Sequence, residues 1–249
     1  MNLVISGAGG RMGHAIALLA KENDIRVTAG IDLFPFTAEF PVYQHIAELP
    51  EKPDVLVDVS NPSALSELIA YVRANEVPVI FCTTGYSDEQ IEDIRKLSET
   101  VPVFRSANMS LGINVLSALV RKAAEALQGY DVEILEMHHN KKLDAPSGTA
   151  NMLLDAVTSA DAEKYPVYDR HSVRQKRDAK EIGMHSLRGG TVVGEHSVIF
   201  AGPNEVITLS HSAESREAFA AGAIRAAKFM AEIRSPGLYD MNSLIEASE

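Results

Sequence analysis

One cysteine, Cys82, is all the chain has, and tryptophan is absent. A lone thiol excludes any intramolecular disulfide, which suits a reducing compartment. Basic residues are also scarce: 23 Lys and Arg stand against 34 Asp and Glu, a formal net charge of −11 at pH 7. Phosphate backbones are bound by basic faces, so no nucleic-acid partner is expected. No apolar run approaches the roughly 18 residues of a membrane span, so no membrane partner is expected either. The opening Met1-Asn2-Leu3-Val4-Ile5-Ser6 turns to glycines before a leader's apolar region could develop. A cytoplasmic location is the expectation.

What is present is ordinary globular material: 249 residues, 46% apolar and 23% charged, enough for one large domain or two modest ones. The first half alternates β-branched runs with helical patterns. Strands are expected at Leu3-Val4-Ile5, Arg26 to Ile31, Val55 to Val59, Val79 to Phe81 and Val101 to Phe104. Helices are expected at Met12 to Lys21, Ser63 to Asn75 and Asp88 to Glu99, with one weak helical turn near Ile46. Such βαβα order predicts an α/β domain with a parallel sheet. Past Ser106 the pattern changes. A long amphipathic helix (Gly112 to Leu127), a strand (Asp131 to Met137) and a short helix (Gly148 to Ser159) precede a polar stretch from Asp161 to Lys180. Three strand-like runs follow, Gly183 to Leu187, Thr191 to Phe200 and Glu205 to His211, separated by short turns. They predict an antiparallel or mixed sheet in a second, α+β domain. Ser215 to Glu232 is helical again.

Gly7-Ala8-Gly9-Gly10-Arg11-Met12-Gly13 follows the first strand directly and opens the first helix. Glycines permit the tight turn and let the backbone approach a pyrophosphate at the helix N-terminus. Asp32 closes the second strand, 19 residues after Gly13, where a carboxylate accepts hydrogen bonds from an adenosine ribose. A plain tight turn would explain the glycines alone, but not the strand, helix and acid together. Cys82-Thr83-Thr84-Gly85 and Ala107-Asn108 follow the fourth and fifth strands, at the sheet end where ligands collect. Each loop alone reads as a simple turn, and Cys82 alone as a small packed residue.

The densest chemistry lies in Glu136-Met137-His138-His139-Asn140-Lys141-Lys142-Leu143-Asp144-Ala145-Pro146-Ser147-Gly148-Thr149-Ala150. Two imidazoles and two ammonium groups stand at a strand end. A helix start follows, with Ser147 as N-cap and the Gly148 and Thr149 amides directed at an anion. These are groups for holding carboxylates and moving protons. Adjacent histidines on a regular strand face opposite ways, so they share a site only if the strand stops there. His138-His139 lacks companions for a metal, so none is expected. Ser147 lacks the G-x-S-x-G context of a hydrolase nucleophile.

This run resembles the signature of the dihydrodipicolinate reductase family of lysine biosynthesis. The likeness extends through Gly7 to Gly13, Val57-Asp58-Val59-Ser60-Asn61-Pro62, Thr83-Thr84-Gly85, Ala107 to Asn114, Gly194-Glu195-His196 and Ser215 to Phe219. It implies a Rossmann domain at 1–108, a substrate-binding and oligomerisation domain at 109–214, and a C-terminal segment, 215–249, that returns to the first. It further implies a homotetramer, NADH or NADPH as reductant, and a cyclic imine dicarboxylate as substrate. His138 takes the place of the family's proton donor/acceptor and Lys142 that of its proton donor. His139, Ser147, Gly148 and Thr149 would meet substrate carboxylates. Gly7, Ala8, Gly9, Gly10, Arg11, Met12, Asp32, Cys82, Thr83, Thr84, Ser106, Ala107, Asn108 and Met109 match cofactor positions. Cys82 stands where glycine is common, Asn140 where arginine can occur, and Leu33 where some members carry arginine beside the ribose-binding acid. Two other readings share the scaffold: a different imine-reducing dehydrogenase, and a dinucleotide-binding redox sensor. The sensor leaves the Glu136 to Ala150 run unexplained.

Overall fold

Strands separated by helices cannot pair as hairpins, because each helix carries the chain back to the same end of the sheet. The computed structural model of the chain bears out this reading; it describes residues 1–106, 108–215 and 217–247. The chain forms two compact units, Met1–Ser110 with Phe219–Glu249, and Leu111–Ala218. Strands and helices are numbered along the whole chain.

The first unit is built on seven parallel strands. These are β1 (Asn2–Ser6), β2 (Arg26–Ile31), β3 (Val42–Tyr43), β4 (Val55–Asp58), β5 (Val79–Phe81), β6 (Pro102–Arg105) and β12 (Gly237–Tyr239). Their order is β12-β6-β5-β4-β1-β2-β3. Strands covered on both faces read as continuous apolar runs: Leu3, Val4 and Ile5, like Val55, Leu56 and Val57, are all buried. Helices α1 (Arg11–Glu22), α2 (Leu65–Asn75) and α3 (Asp88–Leu97) make the crossovers. Leu65, Leu68 and Val72 of α2, at helical spacing, pack with Val4, Leu56 and Phe81. Ser87 and Gln90 start α3 with a capping box. Helix α6 (Glu217–Glu232) sets the Phe229 ring edge-on to Phe104, 6.4 Å between centroids. A last helix, α7, spans Met241–Glu246.

Several short elements were not expected: β3, β12, α7 and, in the polar stretch of the second unit, β8 (Tyr165–Val167). Two or three residues show no periodicity, so pairing partners alone define such strands. The expected helix from Ser63 begins instead as a 3-10 turn at Pro62–Ala64, with the Asn61 side chain accepting from the Ser63 amide at 3.0 Å. The strand expected to run to Val59 stops at Asp58, whose carboxylate folds back to accept from the Ser60 amide.

The second unit carries a five-stranded mixed sheet of β7 (Asp131–His138), β8, β9 (Glu181–Arg188), β10 (Gly194–Gly202) and β11 (Glu205–Ala213). The order is β11-β10-β7-β9-β8; β10 runs antiparallel to both neighbours, and β7, β8 and β9 run parallel. Helices α4 (Leu111–Ala126) and α5 (Gly148–Thr158) complete the unit. Ile113, Leu116 and Val120 of α4 and Leu153 and Val157 of α5 pack against Val132, Ile134, Met184, Val198 and Phe200 of the sheet. Among the described residues, no helix is long and apolar enough to cross a membrane.

Candidate active site

The strand order reverses at β1. From there the chain goes to β2 on one side and β4 on the other, which opens a crevice at the strands' carboxyl ends. Gly7 makes the turn there at φ +79°, and a Cβ on it would stand 2.7 Å from the Ser60 Cα. Only glycine fits a left-handed turn pressed so closely on a neighbouring loop. Asp32 is held by two amides: Oδ2 accepts from Gly9 at 2.9 Å and Oδ1 from Phe34 at 3.1 Å. A cleft of about 430 Å³ is lined by Gly7, Gly10, Asp32, Leu33, Phe34 and Ser60, among others. A second cleft, about 330 Å³, shares Val59 and Ser60 and adds Met12, Cys82, Thr83, Thr84, Ser106, Asn108 and Met109. Ala8 lies within the turn with its side chain buried, and Arg11 is exposed at the first residue of α1. Ala107 lies outside the described residues.

Sequence reasoning quoted Asp58 without giving it a task. It is fully buried and accepts from the Ser60 hydroxyl (2.5 Å), Thr83 Oγ1 (2.7 Å) and the Tyr86 hydroxyl (3.0 Å). One carboxylate thus ties the loops after β4 and β5 together. Burial, and after it the charge of Asp58, pushes the Cys82 thiol up, away from the thiolate form, and the residue lines the second cleft.

In the second unit, alternation along β7 buries Val132, Ile134, Glu136 and His138 on one face. The inner face is apolar at one end and ionisable at the other. Register places Ser186 and Arg188 of β9 beside Glu136 and His138, and His196 of β10 beside Glu136. His138 Nδ1 lies 2.5 Å from Glu136 Oε2. Arg188 forks onto the same carboxylate, Nη1 to Oε2 and Nη2 to Oε1, each at 2.8 Å. The Ser147 amide donates to Glu136 Oε1 at 3.2 Å. Ser147 caps α5 by accepting from the Ala150 amide at 3.1 Å, and its hydroxyl lies 3.1 Å from His196 Nε2.

Burial alone would raise the Glu136 carboxyl, but hydrogen bonds from Arg188, Ser186 and His138 overcome it and hold it at about 2. Burial lowers His138, against the pull of Glu136, and the charges of Lys142 and Arg188 lower it further. Burial and the neighbouring His138 bring His196 down to about 4. Lys142 pairs with Asp144 at 2.9 Å. His139 follows the last strand residue, half-buried, and its Nδ1 accepts from the Lys141 amide at 3.3 Å. Gly148 is exposed at the first turn of α5, next to half-buried Thr149. The structure therefore gathers His138, Ser147 and the start of α5 around one carboxylate, with Lys142 near enough for its charge to act on His138. Arg188 gave no local signal in sequence, because only the β7–β9 register brings it to Glu136. Among the described residues, no group of three His, Cys, Asp or Glu side chains is placed to hold a metal.

A parallel sheet with a glycine turn at its switch point is how nucleotide-dependent oxidoreductases hold a coenzyme, and this fold defines that class. Comparison with known proteins narrows it. A family profile described as "Dihydrodipicolinate reductase, N-terminus" matches residues 1–109, and one described as "Dihydrodipicolinate reductase, C-terminus" matches residues 112–245. The "4-hydroxy-tetrahydrodipicolinate reductase" of Caldanaerobacter subterraneus subsp. tengcongensis is 50% identical over 248 residues, 99% of this chain and 98% of that one. A solved structure, "Dipicolinate bound Dihydrodipicolinate reductase from Paenisporosarcina sp. TG-14", superposes with TM-score 0.81 at 26% identity, over 97% of this chain and 98% of the other. An amine dehydrogenase from Mycobacterium smegmatis shares the fold alone, with TM-score 0.66 at 11% identity, over 98% and 95% of the two chains. The chain belongs to the dihydrodipicolinate reductase family.

Proposed function

We propose that this chain reduces 4-hydroxy-tetrahydrodipicolinate to tetrahydrodipicolinate with NADH or NADPH, in the cytoplasm and as a homotetramer. One hydride and one proton enter, and one water leaves. Support for a dinucleotide comes from the first unit itself. The Gly7 turn leaves no room for a side chain, the fixed Asp32 carboxylate lies beside it, and two clefts share Val59 and Ser60. When bound, the reduced nicotinamide supplies the hydride.

The chain's own residues do the rest. The Ser147-Gly148-Thr149 turn at the start of α5 receives one substrate carboxylate at the positive end of the helix, and His139 meets another. Hydride addition drives negative charge into the conjugated ring, so a proton must be delivered nearby. Lys142 and His138 deliver it, and positioned proton transfer of this kind is worth roughly 10²–10⁴ in rate. The observation that carries the reading is the buried Glu136–His138 pair hydrogen-bonded to the turn that starts α5.

The test is turnover of reduced cofactor with the cyclic hydroxy-imine dicarboxylate. His138→Gln and Lys142→Ala should each lower kcat by roughly 10² or more with cofactor affinity nearly intact. Near-normal turnover in both variants would remove these side chains from the mechanism.

A further inference from the structure

Besides Ser186, Glu136 meets four donors through its two carboxylate oxygens. Oε2 meets His138 Nδ1 and Arg188 Nη1; Oε1 accepts from the Ser147 amide and Arg188 Nη2. Arg188 also donates to the Asp144 carbonyl at 2.6 Å and the Leu187 carbonyl at 2.7 Å, which ties the segment before Ser147 to β9. We propose that Glu136 is the positioning residue of the site: it fixes the tautomer of His138 and the start of α5 together, with Arg188 as its counter-charge. The inference rests on the reading of His138 as a proton-transfer group.

An ionised carboxylate only accepts, so His138 Nδ1 must carry the hydrogen facing it. That leaves Nε2 as the nitrogen that exchanges protons with a substrate. Space is kept on that side: a Cβ on Gly194 would stand 3.1 Å from Nε2, closer than side chains ordinarily pack. The groups facing His138 are Glu136 on its own strand, Arg188 on β9, His196 on β10 with ring centroids 5.2 Å apart, and Lys142 from the loop that follows. Of these only Glu136 favours the imidazolium. The other charges, and burial itself, favour the neutral ring. A single carboxylate therefore opposes the lowering of the His138 pKa by burial and the neighbouring cations, while tying the ring to the turn that starts α5.

The deciding variant is Glu136→Gln, which keeps an acceptor for Nδ1–H but removes the charge. In a kcat/KM profile against pH, the limb that disappears in His138→Gln should move about one unit or more to lower pH, and kcat should fall at least about tenfold. A structural role alone would change stability and leave the limb in place, and an unmoved limb would overturn the proposal. If Glu136→Gln does not fold, nitrogen-15 NMR of the wild-type imidazoles decides. Neutral His138, assigned by its loss in His138→Gln, should carry its hydrogen on Nδ1; hydrogen on Nε2 overturns the proposal. Full activity of His138→Gln would instead defeat the underlying proton-transfer reading, and the tautomer would still decide the role of Glu136.

Discussion

Under the proposed function, Asp32 is the residue expected to choose between cofactors. Its carboxylate is pinned beside the glycine turn by the Gly9 and Phe34 amides, so it cannot swing away from a ribose without losing both bonds. A 2′-phosphate would face this carboxylate, and like charges repel. The next residues, Leu33 and Phe34, are exposed and uncharged. The cation nearest in sequence to the glycine turn is Arg11, exposed at the start of α1, and charge-assisted bonds to a phosphate are expected from it. NADH is therefore expected to serve at least as well as NADPH when kcat/KM is measured for both at equal ionic strength. A tenfold preference for NADPH, about 1.4 kcal/mol, would mean that Arg11 outweighs Asp32. Leu33→Arg should move the ratio towards NADPH. At this scale the sequence was legible where chemistry was contiguous. His138, Lys142 and Ser147 stand within one short run. The partner that orients His138 was quoted in that run but given no role, because a strand residue two positions away is informative only once its face is known to be buried.

Helix α5 shows what an element contributes beyond its residues. Ser147 caps its N-terminal turn and Glu136 holds the Ser147 amide, which together shape the turn proposed above to receive a substrate carboxylate. Removing the cap hydroxyl in Ser147→Ala should cost about 1 kcal/mol of stability, read as a lowered denaturant midpoint at unchanged slope. It should also raise KM for the dicarboxylate more than it lowers kcat. Equal KM in both proteins would separate the cap from substrate binding. Long elements were readable because periodicity accumulates over their length: the buried alternation of β7 and the apolar stripe of α2 are examples. Strand β8 was not, since three residues bounded by polar sequence become a strand only through pairing with β9. The mixed direction of the second sheet was likewise open. A short turn joins β10 to its antiparallel partner β11, whereas β7 and β9 are separated by α5 and β8 and pair in parallel.

For the whole molecule, the mixed sheet ends in an exposed strand. Val206 and Ile207 of β11 are exposed, and edge strands with apolar side chains readily find a partner. A homotetramer is expected, with a solution mass four times the 27.0 kDa of one chain. Val206→Glu should shift sedimentation towards smaller species, and a monomeric wild type would sink the assembly reading. The parallel sheet has a different asymmetry. Its outermost strand on one side, β12, pairs Leu238 with Val103 of β6. A ribosome delivers Val103 long before Leu238, so during synthesis β6 stands with an open edge. The mixed-sheet unit, continuous from Leu111 to Ala218, emerges whole in that interval. Translation thus completes the mixed-sheet unit before the parallel-sheet one. The edge of β6 is covered only after β12 has left the exit tunnel, and until then that bare edge is the place for a chaperone to attend.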